Sequence, residues 1–84
     1  MKFYSHSKTD DIYLVINTDI LVATKETIKH TDVIPNILET QLISPRDISQ
    51  DIKYSILDGF LMLGYSAKVY KEVYRLLLNK TEGN

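Results

Sequence analysis

The segment from Ser44 to Lys80 constrains the fold most, because its helix start signals, helix stop signals and apolar spacing agree with one another. Ser44 is a good helix N-cap, Pro45 suits the first helical position, and Asp47 places a carboxylate where it can reach back to the cap. Apolar residues then recur at three- and four-residue spacing along one side, namely Ile48, Ile52, Ile56, Phe60 and Leu63, widened by Leu57 and Leu61. The segment therefore predicts a first long helix.

The other side of this first helix is expected to be polar, since it mostly carries Arg46, Gln50, Lys53 and Asp58. Gly64 falls just past the last periodic residue, where a left-handed backbone ends a helix at little cost, and Tyr65 follows as an apolar contact to the last turn. Gly59 lies in mid-helix and costs about 1 kcal/mol relative to Ala. We expect Gly59 either to allow a neighbouring element to approach closely or to form the floor of a groove that receives a partner's side chain.

A second helix is predicted from Ser66, its cap, to about Asn79, because no Gly or Pro interrupts the stretch. Successive residues of a helix are rotated by about 100° around its axis, and on this basis the apolar side chains cover an arc of roughly 200°. A helix that packs on one core needs an apolar arc of little more than about 100°. The arc consists of Val69, Tyr70, Val73, Tyr74, Leu76, Leu77 and Leu78, and the remaining sector holds Lys68, Lys71, Glu72 and Arg75. Tyrosines 65, 70 and 74 are therefore either core residues or part of an interface.

Residues 1–43 predict a short β-hairpin and one short helix. Residues 12–16 are apolar and mostly β-branched or aromatic, which favours a strand buried on both faces. Residues 17–19 have turn chemistry and the β-branched bias resumes after them, so we prefer a hairpin with a three-residue loop. The alternative for residues 18–30 is a helix capped by Thr18. Residues 1–11 are either a ragged terminus or a short edge strand.

A short third helix is expected after Thr31 or Asp32, because Pro35 is tolerated within a first turn and a helical stripe follows it, formed by Ile34, Ile37, Leu38 and Leu42. The predicted fold class is thus α+β, a short N-terminal β-hairpin packed on a three-helix C-terminal unit, in one domain over residues 1–84. Residues 1–43 would form the hairpin and short helix, 44–80 a helical pair hinged at Gly64, and 81–84 a disordered tail.

Composition limits the possible functions. The chain carries 10 Lys and Arg against 11 Asp and Glu, a net charge of −1, so no general attraction to nucleic acid or anionic lipid is expected. It has no cysteine, which excludes a disulfide framework, a thiolate metal site and a cysteine nucleophile. No apolar run approaches the roughly 18 residues of a membrane span. We expect a cytoplasmic protein with no membrane partner.

No catalytic, metal or cofactor-binding residues are predicted. His6 and His30 are the only imidazoles, and neither has a second ligand at helical spacing in a predicted element. The serines lack a nearby base, and the glycines form no phosphate-binding loop. Enzyme activity is therefore not expected.

Residues 51–77 resemble the C-terminal domain of the RuvA family, a small three-helix unit similar to a ubiquitin-associated domain. The matching residues are Leu57, Leu61, Leu63, Gly64, Tyr65, Ser66, Val73 and Leu76. In that family the domain contacts a protein partner, the hexameric motor, and not the DNA, so the resemblance implies a protein-binding role. Tyr70 and Tyr74 stand where the family has small residues, and residues 1–43 do not resemble its junction-binding domains.

The same residues also resemble a helix-turn-helix, with Gly64, Tyr65 and Ser66 at the turn. This resemblance implies that Lys68, Lys71 and Arg75 face phosphates or base edges. Phe60 departs from the pattern, because its position is normally small where the two helices cross.

The sequence therefore predicts a small, non-catalytic interaction or regulatory protein, of the kind that a phage or plasmid encodes. Its protein interface would be the aromatic edge Tyr70, Tyr74 and Leu78 of the second helix, with self-association as a homodimer as a further use of the apolar arc. The alternative is a DNA-binding regulator that uses Lys68, Lys71 and Arg75.

Overall fold

In the computed structural model of the chain, which describes residues 1–33 and 36–78, one antiparallel sheet carries two α-helices on one face. The strands are β1 (Lys2–His6), β2 (Ile12–Ile16), β3 (Asp19–Ala23), β4 (Ile28–His30) and β5 (Thr40–Leu42). Their order in the sheet is β4-β3-β2-β1-β5. The helices are α1 (Gln50–Phe60) and α2 (Ala67–Leu78), each preceded by a short 3₁₀ turn, Pro45–Asp47 and Leu61–Leu63.

The α+β class holds, but the predicted hairpin on a three-helix unit is wrong, because the sheet has five strands and only two α-helices are found in the described residues. The third helix is replaced by β5, which pairs with β1. Ile37 and Leu38, two members of its expected stripe, are exposed, while Ile34 and Pro35 lie outside the described residues. The helical spacing of these few apolar residues gives no information about the free edge of β1, with which residues 40–42 pair.

The N-terminal strands also differ from expectation. β1 pairs with β2 on one side and β5 on the other, so it is neither a ragged terminus nor an edge strand. In β2 burial alternates, with Ile12, Leu14 and Ile16 buried and Tyr13 half-buried. The predicted burial of β2 on both faces is therefore wrong, because the helices cover only one face of the sheet.

Residues 18–30 contain β3, β4 and the loop between them rather than the alternative helix. Ile16 pairs directly with Asp19, so the loop between β2 and β3 contains two residues, not the predicted three. Asn17 has a positive φ of 56°, a conformation that Asn tolerates better than most side chains. The predicted turn is confirmed, but Asp19, its last expected residue, already belongs to β3.

The first long helix begins later than predicted. Pro45–Asp47 forms a 3₁₀ turn, and Ile48 then takes an extended conformation with ψ 138° before α1 starts at Gln50. Ser44 precedes the turn, but its side chain makes no cap hydrogen bond. Since Ile48 is buried, this break directs an apolar side chain into the core. Lys53 is 9% exposed, so its predicted place on the polar side of the helix is also wrong.

The core lies between the helix-covered face of the sheet and the two helices. Its largest fully buried side chains come from both layers and are Phe60, Leu14, Leu21, Ile56 and Val73. Each such side chain stabilises the fold by about 1.5–3 kcal/mol relative to exposure. The sheet and the helices therefore depend on one shared core.

Gly59 allows α1 to approach β4, since a Cβ atom there would lie 2.6 Å from Cγ2 of Ile28. Ile28 is buried and β-branched, so it has little freedom to move. We expect Gly59→Ala to lower the free energy of unfolding by roughly 1 kcal/mol, because overpacking outweighs the gain of about 1 kcal/mol in helix propensity. Urea unfolding followed by circular dichroism measures this change.

The control is Ile28→Leu, which removes the branch at Cβ but keeps the side-chain volume. In that background Gly59→Ala should be neutral or stabilising. An equal loss of stability in both backgrounds would show that contact with Ile28 is not the reason for glycine at this position.

Candidate interaction surface on helix α2

The turn between the helices positions α2. Gly64 has φ 95° and donates its N–H to the carbonyl of Leu61 at 3.1 Å, which closes the 3₁₀ turn. The Ser66 side-chain Oγ then accepts the N–H of Val69 at 3.3 Å, so Ser66 caps α2. The predicted end of α2 near Asn79 lies outside the described residues, and so does the tail 81–84.

Tyr65 fastens this turn to the sheet. Its ring stacks on Phe60 with centroids 4.5 Å apart, and its hydroxyl donates to Oδ2 of Asp19 at 2.7 Å. The ring of His30 lies 5.8 Å away on β4. Burial, the hydrogen bond and the charge of Asp19 raise the pKa of Tyr65 to about 12. Tyr65 is thus a packing residue that joins α2 to the start of β3.

The wide apolar arc of α2 is divided between core and surface. Val73 and Leu77 are buried in its centre. Val69, Tyr70 and Leu78 are half-buried and pack against the core. At the two margins, Tyr74 is 49% exposed and Leu76 is 41% exposed. One core therefore explains the centre of the arc and leaves both margins open to solvent.

One margin forms an aromatic and cationic surface that we call the α2 strip, lined by Tyr70, Lys71, Tyr74, Arg75 and Leu78. It borders an open depression of about 570 Å³. The rings of Tyr70 and Tyr74 lie 6.2 Å apart at 45°. The strip brings together all three predicted protein-interface residues and two of the three predicted nucleic-acid contacts.

The cations of α2 make no salt bridge with any described residue. Within residues 1–33 and 36–78, salt bridges join His6 and Lys8 to Glu39, and none involves Lys68, Lys71 or Arg75. Lys68 is exposed but does not line the depression. The strip therefore offers apolar area beside positive charges that have no partner among the described residues.

A second groove, which the sequence did not reveal, lies between α1 and the β3–β4 connection and has a volume of about 400 Å³. Gly59 and Asp58 line it, together with Ser55, whose buried Oγ has no hydrogen-bond partner among the described residues. Asp51, Ser55 and Asp58, spaced four and three residues apart, are the signal that places one polar stripe on this side of α1. The close approach expected for Gly59 is confirmed by its contact with Ile28, whereas a role as the floor of a groove for a partner's side chain stays a prediction.

Comparison with known protein families, curated proteins and solved structures finds no match for this chain. The resemblance of residues 51–77 to the RuvA family therefore stays a prediction. Within the described residues, no cluster of His, Cys, Asp and Glu could hold a metal ion. Neither α1 nor α2 is long and apolar enough to cross a membrane.

The burial of Tyr65 and its hydrogen bond to Asp19 should make stability fall as the pH rises from about 10 to about 12. A tyrosine in the unfolded chain ionises near pH 10, whereas the pKa of Tyr65 is about 12 in the folded protein, so the unfolded state loses its proton first. Tyr65→Phe should remove this part of the pH dependence and, at pH 7, lower the free energy of unfolding by about 1–2 kcal/mol. Urea unfolding at pH 7, 10 and 11 measures both effects.

Tyr74→Phe is the control, because its exposed ring makes no described hydrogen bond through the hydroxyl. It should leave the pH dependence as it is in the wild type. If Tyr65→Phe also leaves that dependence unchanged, the raised pKa of Tyr65 is not the cause of the loss of stability above pH 10.

Proposed function

We propose that the protein is a small, non-catalytic protein–protein interaction or regulatory protein that binds its partner through the α2 strip. The observation that carries this proposal is the half-exposed ring of Tyr74, held against Tyr70 and flanked by Lys71 and Arg75. Tyrosine and arginine are enriched at protein interfaces, where a rigid ring contributes large contact area with little loss of side-chain entropy.

The charge of the strip defines the chemistry of the partner. Lys71 and Arg75 have no described salt bridge, so a partner with carboxylates beside apolar side chains would complement them. An amphipathic acidic helix has this pattern, with apolar residues towards Tyr74 and Leu78. The RuvA-like interpretation of the turn points the same way, since the corresponding domain contacts a protein. We include a cytoplasmic location in the proposal, because a chain without cysteine needs no oxidising compartment.

DNA binding remains the second candidate. Lys68, Lys71 and Arg75 are all exposed on α2 and have no described ion pair, which suits the second helix of a helix-turn-helix. The net charge of −1 provides no supporting field, and the large ring of Phe60 occupies the position that is normally small in that motif. We therefore rank this function below protein binding.

Selection of peptides from a phage-displayed random library tests the protein-binding proposal. We expect enriched peptides to combine acidic and apolar residues at helical spacing. Tyr74→Asp should weaken their binding by at least about tenfold, because it removes the central ring and repels carboxylates, while circular dichroism shows unchanged helix content. Fluorescence anisotropy of a labelled selected peptide measures the affinity.

The matched control is Tyr54→Asp on α1, since Tyr54 is 51% exposed, close to the 49% of Tyr74. It should leave peptide binding unchanged. Equal losses for the two variants would contradict a site on α2, and loss of the fold in Tyr74→Asp would show that this ring belongs to the core.

Titration of a labelled mixed-sequence DNA duplex at about 50 mM and about 200 mM salt tests the second candidate, because phosphate-driven binding falls steeply over this range. We expect no binding at micromolar protein concentrations. Salt-sensitive binding that disappears when Lys68, Lys71 and Arg75 are changed to Glu would reverse the ranking of the two functions.

A further inference from the structure

Strand β5 lies at an edge of the sheet, and among the described residues no backbone group bonds to its outer side. Ile43 donates its N–H to the carbonyl of Phe3 at 2.9 Å, and Ser7 donates to the carbonyl of Glu39 at 2.8 Å. In an antiparallel ladder such pairs alternate along the strand, so residues 39, 41 and 43 bond to β1. The N–H and C=O groups of Thr40 and Leu42 therefore point away from the sheet.

The opposite edge strand, β4, differs from β5 because it carries Lys29, a residue type that commonly guards an edge. Helix α1 lies against β4, where Ile28 is buried and faces Gly59. Leu42 in β5, in contrast, is 63% exposed. Proteins commonly guard an edge strand with lysine, proline or an inward charge, but residues 40–44 contain none of these.

Apolar side chains flank this open edge. Leu42, Leu76 of α2 and Met1 are all partly exposed and line a depression of about 440 Å³ beside β5. Leu76 belongs to the margin of α2 opposite Tyr74, so this surface is separate from the α2 strip. An occupant of the edge would gain both backbone hydrogen bonds and apolar contact.

We propose that two copies of this chain pair antiparallel through β5, with Thr40 opposite Leu42 of the partner subunit and Gln41 at the two-fold axis. The outward residue 40 of each copy then forms a hydrogen-bonded pair with the outward residue 42 of the other. Each of these two pairs is joined by two backbone hydrogen bonds. The pairing extends the five-stranded sheet of one copy into that of the other. The proposal concerns a different surface from the α2 strip and does not depend on its function.

A second copy fits this edge better than an unrelated strand for two reasons. The outward groups of Thr40 and Leu42 are symmetric about Gln41, so the edge complements itself under a two-fold rotation, as an isologous interface requires. Charge also permits self-pairing, because the three residues of β5 carry no charge and do not repel their counterparts in a second copy.

Sedimentation equilibrium tests the dimer, with an expected mass that rises from 9.7 kDa towards twice that value as the protein concentration increases. Leu42→Pro removes an outward N–H that the β1–β5 ladder does not use, so we expect a folded monomer. Leu42→Lys, a second variant that keeps the backbone N–H, should weaken dimerisation by at least about tenfold. Ile37→Lys is the control, since Ile37 is 83% exposed but lies outside β5, and it should leave the mass unchanged.

Hydrogen exchange locates the interface. The amides of Thr40 and Leu42 should become protected as the protein concentration rises, whereas those of Gln41 and Ile43 should be protected throughout. A monomer across the range up to about 500 μM, or a dimer with unprotected Thr40 and Leu42 amides, would overturn the proposal. Loss of the dimer in Tyr74→Asp would likewise assign self-association to the α2 strip instead.

Discussion

The contact of Tyr65 with Phe60 and Asp19 determines where the second helix lies. Gly64 reverses the chain, but a reversal alone does not set the direction of the helix that follows. The stacked ring and the hydrogen bond to Asp19 fix that direction, because they join the residue before the cap of α2 to the first residue of β3. With α2 held there, Val73 and Leu77 reach the core and Tyr74 does not.

Exposure of the α2 strip follows from how the core is filled. α1 contributes Ile52, Ile56, Leu57 and Phe60 to the layer above the sheet, and its glycine brings it close to β4. Little of the sheet is then left for α2, which buries only a narrow stripe of its apolar arc. Its remaining apolar area is available to other molecules at both margins, beside cations at one and beside the edge strand at the other.

Local chemistry predicted the helical pair well but gave little information about the sheet. Gly64 and Ser66 mark the turn and the cap of α2 where the structure has them. β5 could not be predicted, because a three-residue strand is specified by the free edge of β1 and not by its own composition. The sequence also could not place Lys53 among the buried residues or decide that Tyr74 is half-exposed, because both outcomes depend on how the helices pack on the sheet.

The position of β5 next to β1 also orders the assembly of the sheet. Strands β1 to β4 form successive hairpins, whereas Ser5 and Gln41 meet across 36 residues of sequence. Closing the longer loop costs more chain entropy, by about 1.5 kcal/mol relative to a tight hairpin loop, and contacts of this separation form slowly. We therefore expect β1 to pair with β2 first and to be an edge strand until β5 joins it, although it is an interior strand in the native sheet.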